Sequence, residues 1–382
     1  MNIWKLCFLS LILLSCRQNT KKVDLNGSEF QLDEDLKVEY AKGFEVKKID
    51  SHYLLIIKEP WPDADKTYRY LLKHKEEEDF NTNIEYDYKI NIPIERIVVT
   101  STTHIPSLDT LGVLNHLVGF PNTAYISTKR ARQLINKGKV RDLGQNQSLN
   151  TELLIELNPE VVVTFAVKGQ NKGVERVKEA GVPVLYNADW VESHPLGKAE
   201  WIKFFGLLFD KTETADDIFK GIKHEYEKTK ALASSLNKKP DVISGALWKD
   251  QWYLPAGESW QAQIIKDAHA NYLYANTEGT GSLSLSFESV LNTAQNAEFW
   301  IAPAQYTSYG EMLEQQQHYR KFKAFQNKTI FSFSSVKGEN GGVLYYELAP
   351  NRPDLVLKDL INIFHPKVLN HYENHFFKPI KQ

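Results

Sequence analysis

The chain has 382 residues but only two cysteines, Cys7 and Cys16, both within its first sixteen positions. From residue 17 onward there is no thiol, which excludes a disulfide framework and any thiolate metal site in that body. Its stability must come from a buried apolar core, and a chain this long can form one. An excess of either charge is also lacking. The 46 lysines and arginines nearly balance 48 acidic residues, for a net charge of −2. The signs are interspersed, so no basic stripe suggests nucleic acid as a partner. Past Cys16 there is no apolar run long enough to span a bilayer. Catalytic motifs are missing too: there is no HExxH and no glycine-rich phosphate loop. Ser101, His104 and Asp109 lie close together, but no nucleophile-elbow glycines surround Ser101, which leaves a hydrolase or chelatase reading without its nucleophile.

The start of the chain is informative. Lys5 precedes the apolar run Leu6 to Leu14, and Ser15 precedes Cys16. This reads as an export signal over residues 1–15. Leu13-Leu14-Ser15-Cys16 resembles the bacterial lipobox, which implies acylation of Cys16 and attachment to a membrane through lipid. Residues 16–27 are polar and read as a tether. Residues 28–92 carry short runs rich in aromatic and β-branched residues, such as Tyr53 to Ile57 and Tyr68 to Leu72, and predict a small antiparallel β-unit.

An α/β rhythm then begins. Strands are predicted at Ile97–Thr100, Leu117–Phe120, Val161–Phe165 and Val182–Tyr186, separated by helices, which implies a parallel sheet with right-handed crossovers. Ala199–Phe209 and Thr214–Ser234 read as helices with no strand between them; Ile218, Ile222, Tyr226 and Leu232 form the apolar stripe of the second. The rhythm resumes with strands at Val242–Trp248, Phe299–Ile301 and Thr329–Phe333 and helices at Trp260–Ala268, Met312–Phe325 and Pro353–Phe364. Ser148-Leu149-Asn150-Thr151-Glu152 and Ser284-Leu285-Ser286-Phe287-Glu288 share the pattern Ser-Leu-x-x-Glu, each ahead of an apolar strand. They mark two equivalent halves: a lobe at 93–192, a helical connector at 193–238, and a second lobe at 239–382 with a closing helix.

From about Pro93 to His365 the layout resembles the iron-complex and vitamin B12 binding proteins of ABC importers. The residues carrying the resemblance are Ile94 to Val99, Leu111-Gly112-Val113, Leu157-Asn158-Pro159-Glu160, Ala180-Gly181-Val182-Pro183 and Arg352-Pro353-Asp354 to Leu360, followed by His365-Pro366. The resemblance implies two Rossmann-like lobes joined by one long rigid helix, the class III periplasmic-binding fold, with a ligand cleft between them. It implies a monomer without catalysis or cofactor, periplasmic and lipid-anchored to the inner or outer membrane of a Gram-negative bacterium. Its partners would be an iron chelate such as a ferric siderophore, and an ABC permease with its ATPase. Glu152 and Glu288 match the two glutamates that pair with permease arginines in that family.

Loops after the strand ends should line the cleft. They supply Thr102, Thr103, His104, Tyr125, Lys168, Trp190, Trp248, Trp252 and Tyr306 as ligand-binding candidates. Flat aromatic faces suit a planar or catecholate ligand. A lone histidine makes a poor metal site, so no resident metal is expected. Asn146 and Ser282 stand where the vitamin B12 binders carry aromatics, which weighs against a corrinoid. Haem or corrinoid binding, and a surface scavenger working without an importer, remain the alternatives.

Overall fold

The computed structural model describes residues 37–49, 51–78, 83–167 and 171–382; Cys16, and with it the signal and tether, lies outside them. The chain enters through a four-stranded sheet, Phe44–Ile49, His52–Ile57, Tyr68–His74 and Tyr88–Ile92, in sequential order. The first three strands are antiparallel, but the last pairs parallel with its neighbour, Tyr70 opposite Tyr88. The expected antiparallel unit is corrected here: the segment between His74 and Tyr88 is long enough to carry the chain back before it pairs. One face of the sheet, with Leu55, Ile57, Tyr70 and Leu72, joins the main core. On the other, Ile49, Leu54 and Ile56 close over Ile84.

Two buried glutamates attach this unit to the rest. The Glu200 carboxylate accepts the amide N–H groups of Glu39, Tyr40 and Ala41 at 2.7–2.9 Å. Glu192 accepts those of Lys42 and Gly43, both at 2.9 Å, and the indole N–H of Trp201 at 3.1 Å. Lys203 pairs with Glu200 at 3.3 Å and with Asp216 at 3.0 Å, so the buried charge is compensated.

Two α/β sheets follow. The first has the order Val184–Tyr186, Val161–Thr164, Ile97–Val99, Leu117–Phe120, Arg141–Asp142, all parallel. The second runs Asn271–Tyr272, Asp241–Ser244, Phe299–Ile301, Ile330–Ser332, Lys378–Pro379, parallel except for the last strand. Helices cover both faces, which is why the central strands read as unbroken apolar runs.

Between the sheets lie helices Pro195–Glu200, Ile202–Leu208 and Thr212–Ser234. The last has 23 residues and is about 34 Å long at the α-helical rise. Its buried residues Ala215, Phe219, Ile222, Tyr226, Thr229 and Ala233 recur at helical spacing. They pack against Ile202–Leu208 on one side and Pro353–Phe364 on the other. Leu232, assigned to this stripe from sequence, is exposed instead. The single helix expected over Met312–Phe325 is three short pieces, Tyr309–Gln315, Gln317–Lys321 and Lys323–Gln326. Gln316 and Phe322 adopt extended backbone between them. The breaks let Tyr319 and Phe322 both reach the indole of Trp300, at centroid distances of 5.2 and 5.1 Å.

Candidate functional site

The loops that leave the C-terminal strand ends of the two sheets meet along a seam. Asn351 donates to the Thr103 carbonyl and accepts from Ser107 Oγ, both at 2.8 Å. The Glu347 carboxylate accepts the N–H groups of Ser127 and Thr128 at 2.6 and 2.8 Å, and the Thr128 hydroxyl. Burial raises the Glu347 carboxyl, and these donors oppose the rise. The seam therefore brings the strand ends of the lobes face to face.

Large apolar side chains left exposed collect at these same strand ends. In the first lobe they are Tyr125, 61% exposed, after Leu117–Phe120, and Trp190, 38% exposed, after Val184–Tyr186. Val167 is also exposed and follows Val161–Thr164. In the second lobe they are Trp248 at 59%, Tyr253 and Tyr346. Trp248, Tyr253, Tyr345, Tyr346 and Phe333 line a cavity of ≈ 360 Å³ at the strand ends, with Gln261 and Ser282 as polar members. A contiguous group of exposed aromatic side chains marks a binding surface.

Local chemistry sets each of them. Trp248 ends Ala246–Trp248 and Tyr253 lies in Gln251–Pro255; the two strands form a tight hairpin. Gly245 precedes it at φ 74°, where a Cβ would stand 1.9 Å from the Tyr253 carbonyl oxygen, so only glycine fits. Lys249, at the tip, holds its ammonium 4.5 Å from the Trp248 ring centre. Trp190 sits in a single 3-10 turn whose carbonyls are fixed by Lys198, donating to Asp189 at 2.7 Å and Trp190 at 3.0 Å. Burial pulls the Lys198 ammonium down to about 8. Its head also lies 5.6 Å from the ring centre of Trp260 in the second lobe.

Other residues named from sequence lie elsewhere. Trp252 is fully buried, stacked on Trp300 at 5.1 Å and donating to the Ser244 carbonyl at 3.0 Å, so it belongs to the core and is withdrawn as a ligand contact. Tyr306 is half-buried, edge-on to Tyr319. Thr102 and Thr103 are partly exposed at the seam, with Thr103 Oγ1 2.9 Å from Ser101 Oγ. Lys168 lies outside the described residues. Tyr253 and Tyr346 were not singled out; for Tyr253, strand alternation with Trp252 and Leu254 inward was the available signal. A separate cavity of ≈ 590 Å³ runs along the connector, lined by Ile202, Ile218, Ile222, Leu348 and Leu355. It also takes Pro106, Ser127 and Thr128 from the first lobe and Asn351 from the second, and none of the exposed aromatics borders it.

His104 does not line the cleft. It is fully buried beside Phe205, and neither ring nitrogen has a hydrogen-bond partner. Burial lowers its pKa from 6.5 to about 4, with Asp189 opposing. The unfolded chain therefore takes up the proton first as pH falls. Stability is complete above 6.5, drains away down to about 4, and changes no further below. The loss amounts to about 3 kcal/mol. Denaturant titrations from pH 7.5 to 4.5 should show the parent losing stability relative to His104→Leu; parallel curves would refute the buried neutral imidazole.

Glu152 and Glu288 occupy matching places. Each lies exposed in the first turn of a helix, Thr151–Glu156 and Phe287–Ala294. The caps are Asn150, accepting from Leu153 N at 3.0 Å, and Ser286, accepting from Ser289 N at 3.2 Å. Each helix leads into the strand that pairs with the first strand of its own sheet.

Three comparisons bear on this geometry. A family model described as periplasmic binding protein matches residues 97–336. An uncharacterized lipoprotein of Methanocaldococcus jannaschii is 26% identical over 297 residues, covering 75% of this chain and 69% of that protein. Among solved structures, a possible iron-binding, periplasmic solute-binding protein from Staphylococcus epidermidis is similar at TM-score 0.56 and 22% identity, covering 72% of this chain and 99% of the other. A periplasmic heme binding protein from Pseudomonas aeruginosa is similar at TM-score 0.57 and 15% identity, covering 76% and 99%.

Proposed function

The chain belongs to the periplasmic binding protein family, and from that premise we propose that it captures a ferric chelate, a siderophore above all, between its lobes and delivers it to an ABC permease. The carrying observation is that Trp248, Tyr253 and Tyr346 share one cavity at the strand ends of the second lobe, while Tyr125 and Trp190 stand exposed after strand ends of the first and the two lobes meet across the seam at Glu347 and Asn351. Aromatic faces recognise the organic shell of a chelate by stacking. The names of the similar structures, one iron-binding and one heme-binding, point the same way. Attachment through Cys16, in the periplasm, completes the reading; no helix among the described residues is long and apolar enough to cross a membrane. Ser101 hydrogen-bonds Thr103, while the His104 nitrogens contact nothing, so the pair lacks the contact that activates a nucleophile.

The test is titration of the purified Cys16→Ser protein with ferric hydroxamates, ferric catecholates, haemin and cyanocobalamin, read by tryptophan fluorescence. Saturable binding of a ferric chelate at ~1 µM or tighter, about −8 kcal/mol, is expected. Binding of cyanocobalamin alone, or of none of the four, would overturn the reading.

A further inference from the structure

The N-terminal β-unit lies outside the matched residues, and the role described so far does not use it. Its turn nevertheless shares a pocket with residues of both lobes. A pocket of ≈ 440 Å³ is lined by Lys42, Glu59, Trp61 and Asp63 from the β-unit, Val191 and its neighbours from the first lobe, and Thr280 from the second. Val191 directly follows Trp190, and Thr280 is two residues from Ser282, which lines the aromatic cavity of the second lobe. The pocket thus takes walls from the β-unit and from both lobes, beside residues that flank the exposed aromatics in sequence.

Its walls are held in place. The Trp61 ring is set edge-on to Tyr186 at 5.5 Å and lies 6.2 Å from Tyr68, so the indole is fixed against the end of the last strand of the first sheet. The Lys42 backbone is pinned by the buried Glu192 carboxylate, yet its exposed ammonium has no ion-pair partner among the described residues. Lys58, also lining the pocket, is already paired with Glu45 at 2.9 Å. Glu59 and Asp63 stand exposed on the turn. An aromatic wall with both signs of charge, carboxylates in excess, suits an amide-bearing arm ending in an amine and disfavours a purely anionic group.

We propose that the β-unit turn and the Thr280 loop form an outer compartment of the ligand site, which takes the amide- and amine-bearing arm of a chelate whose iron centre sits between the lobes. The compartment makes the β-unit a specificity-determining part of the receptor. This rests on the ferric-chelate reading above.

The probes are ferrioxamine B, a linear trihydroxamate with a free amine; its N-acetylated, uncharged derivative; and ferric acetohydroxamate, which has the same iron centre and no arm. With the full Cys16→Ser chain, Glu59→Lys with Asp63→Lys should weaken ferrioxamine B about fivefold and leave the acetylated form within about twofold. Trp61→Ala should weaken both armed chelates and spare ferric acetohydroxamate. Equal effects on all three probes, or none on any, would overturn the compartment. If the parent binds none of them, the ferric-chelate reading stands or falls on the catecholate and haemin titrations above, and the compartment is judged by spin labels at Ala64→Cys and Thr280→Cys in a chain that also carries Cys7→Ser. One narrow separation supports a joint pocket; a broad distribution refutes it.

Discussion

Reversing both lobe-tip charges together, Glu152→Arg with Glu288→Arg, is expected to abolish uptake while leaving ligand affinity unchanged. The two side chains are exposed, sit in the first turns of capped helices and occupy matching places in the two lobes. Neither borders the aromatic cavity, so reversal should not disturb the bound chelate. A partner with arginines at the corresponding spacing would instead meet like charges. Coupling across close charge pairs at interfaces runs to about 1.5–7 kcal/mol, so losing two pairs predicts at least about a hundredfold fall in docking. Each single reversal should have an intermediate effect. Radio-iron uptake in cells relying on this receptor is the readout, alongside affinity measured on the purified protein. Undiminished uptake by the double variant would remove the importer from the picture and leave the surface-scavenger alternative.

The second large effect separates two tryptophans four residues apart. Trp252→Ala should cost about 3–5 kcal/mol of stability, because it empties a fully buried site where Trp300, Tyr319 and Phe322 converge. Trp248→Ala should change stability by no more than about 0.5 kcal/mol, since its ring is more than half exposed. Its cost should fall on ligand binding, about tenfold in affinity, as for a central aromatic contact. Denaturant unfolding and fluorescence titration on the two variants give a crossed pattern. A stable Trp252→Ala protein, or a Trp248→Ala protein that binds as well as the parent, would break the assignment.

These two tryptophans also show where reading the sequence succeeds and fails. Parallel strands buried on both faces leave unbroken runs of valine and isoleucine, so Ile97–Val99, Val161–Thr164 and the two-lobed α/β fold were legible. The matching first-turn places of Glu152 and Glu288 were legible because Asn150 and Ser286 cap their helices through bonds spanning three residues. Position near a strand end does not tell which face of a hairpin a side chain takes. Leu247 opposite Trp252 points inward, while Trp248 opposite Gln251 points out. The break at Gln316 was hidden as well, since it follows from where Tyr319 and Phe322 must pack and not from any local helix breaker. The burial of His104 depends on contacts with distant residues such as Phe205. Nothing around Glu200 in sequence indicates that it binds amides about 160 positions away.

Those amide contacts carry a consequence for how the entry segment tolerates change. Tyr40 and Ala41 also pack on the main core and Glu39 pairs with Lys223, but the grip of Glu192 and Glu200 on peptide N–H groups is itself indifferent to which side chains stand at 39–42. Proline is the exception, having no hydrogen to offer, and Gly43 is another, since an added methyl would stand 2.9 Å from the Trp201 ring. Among relatives the clasp should thus survive changes at the exposed positions 39 and 42 while the two acids that form it stay put.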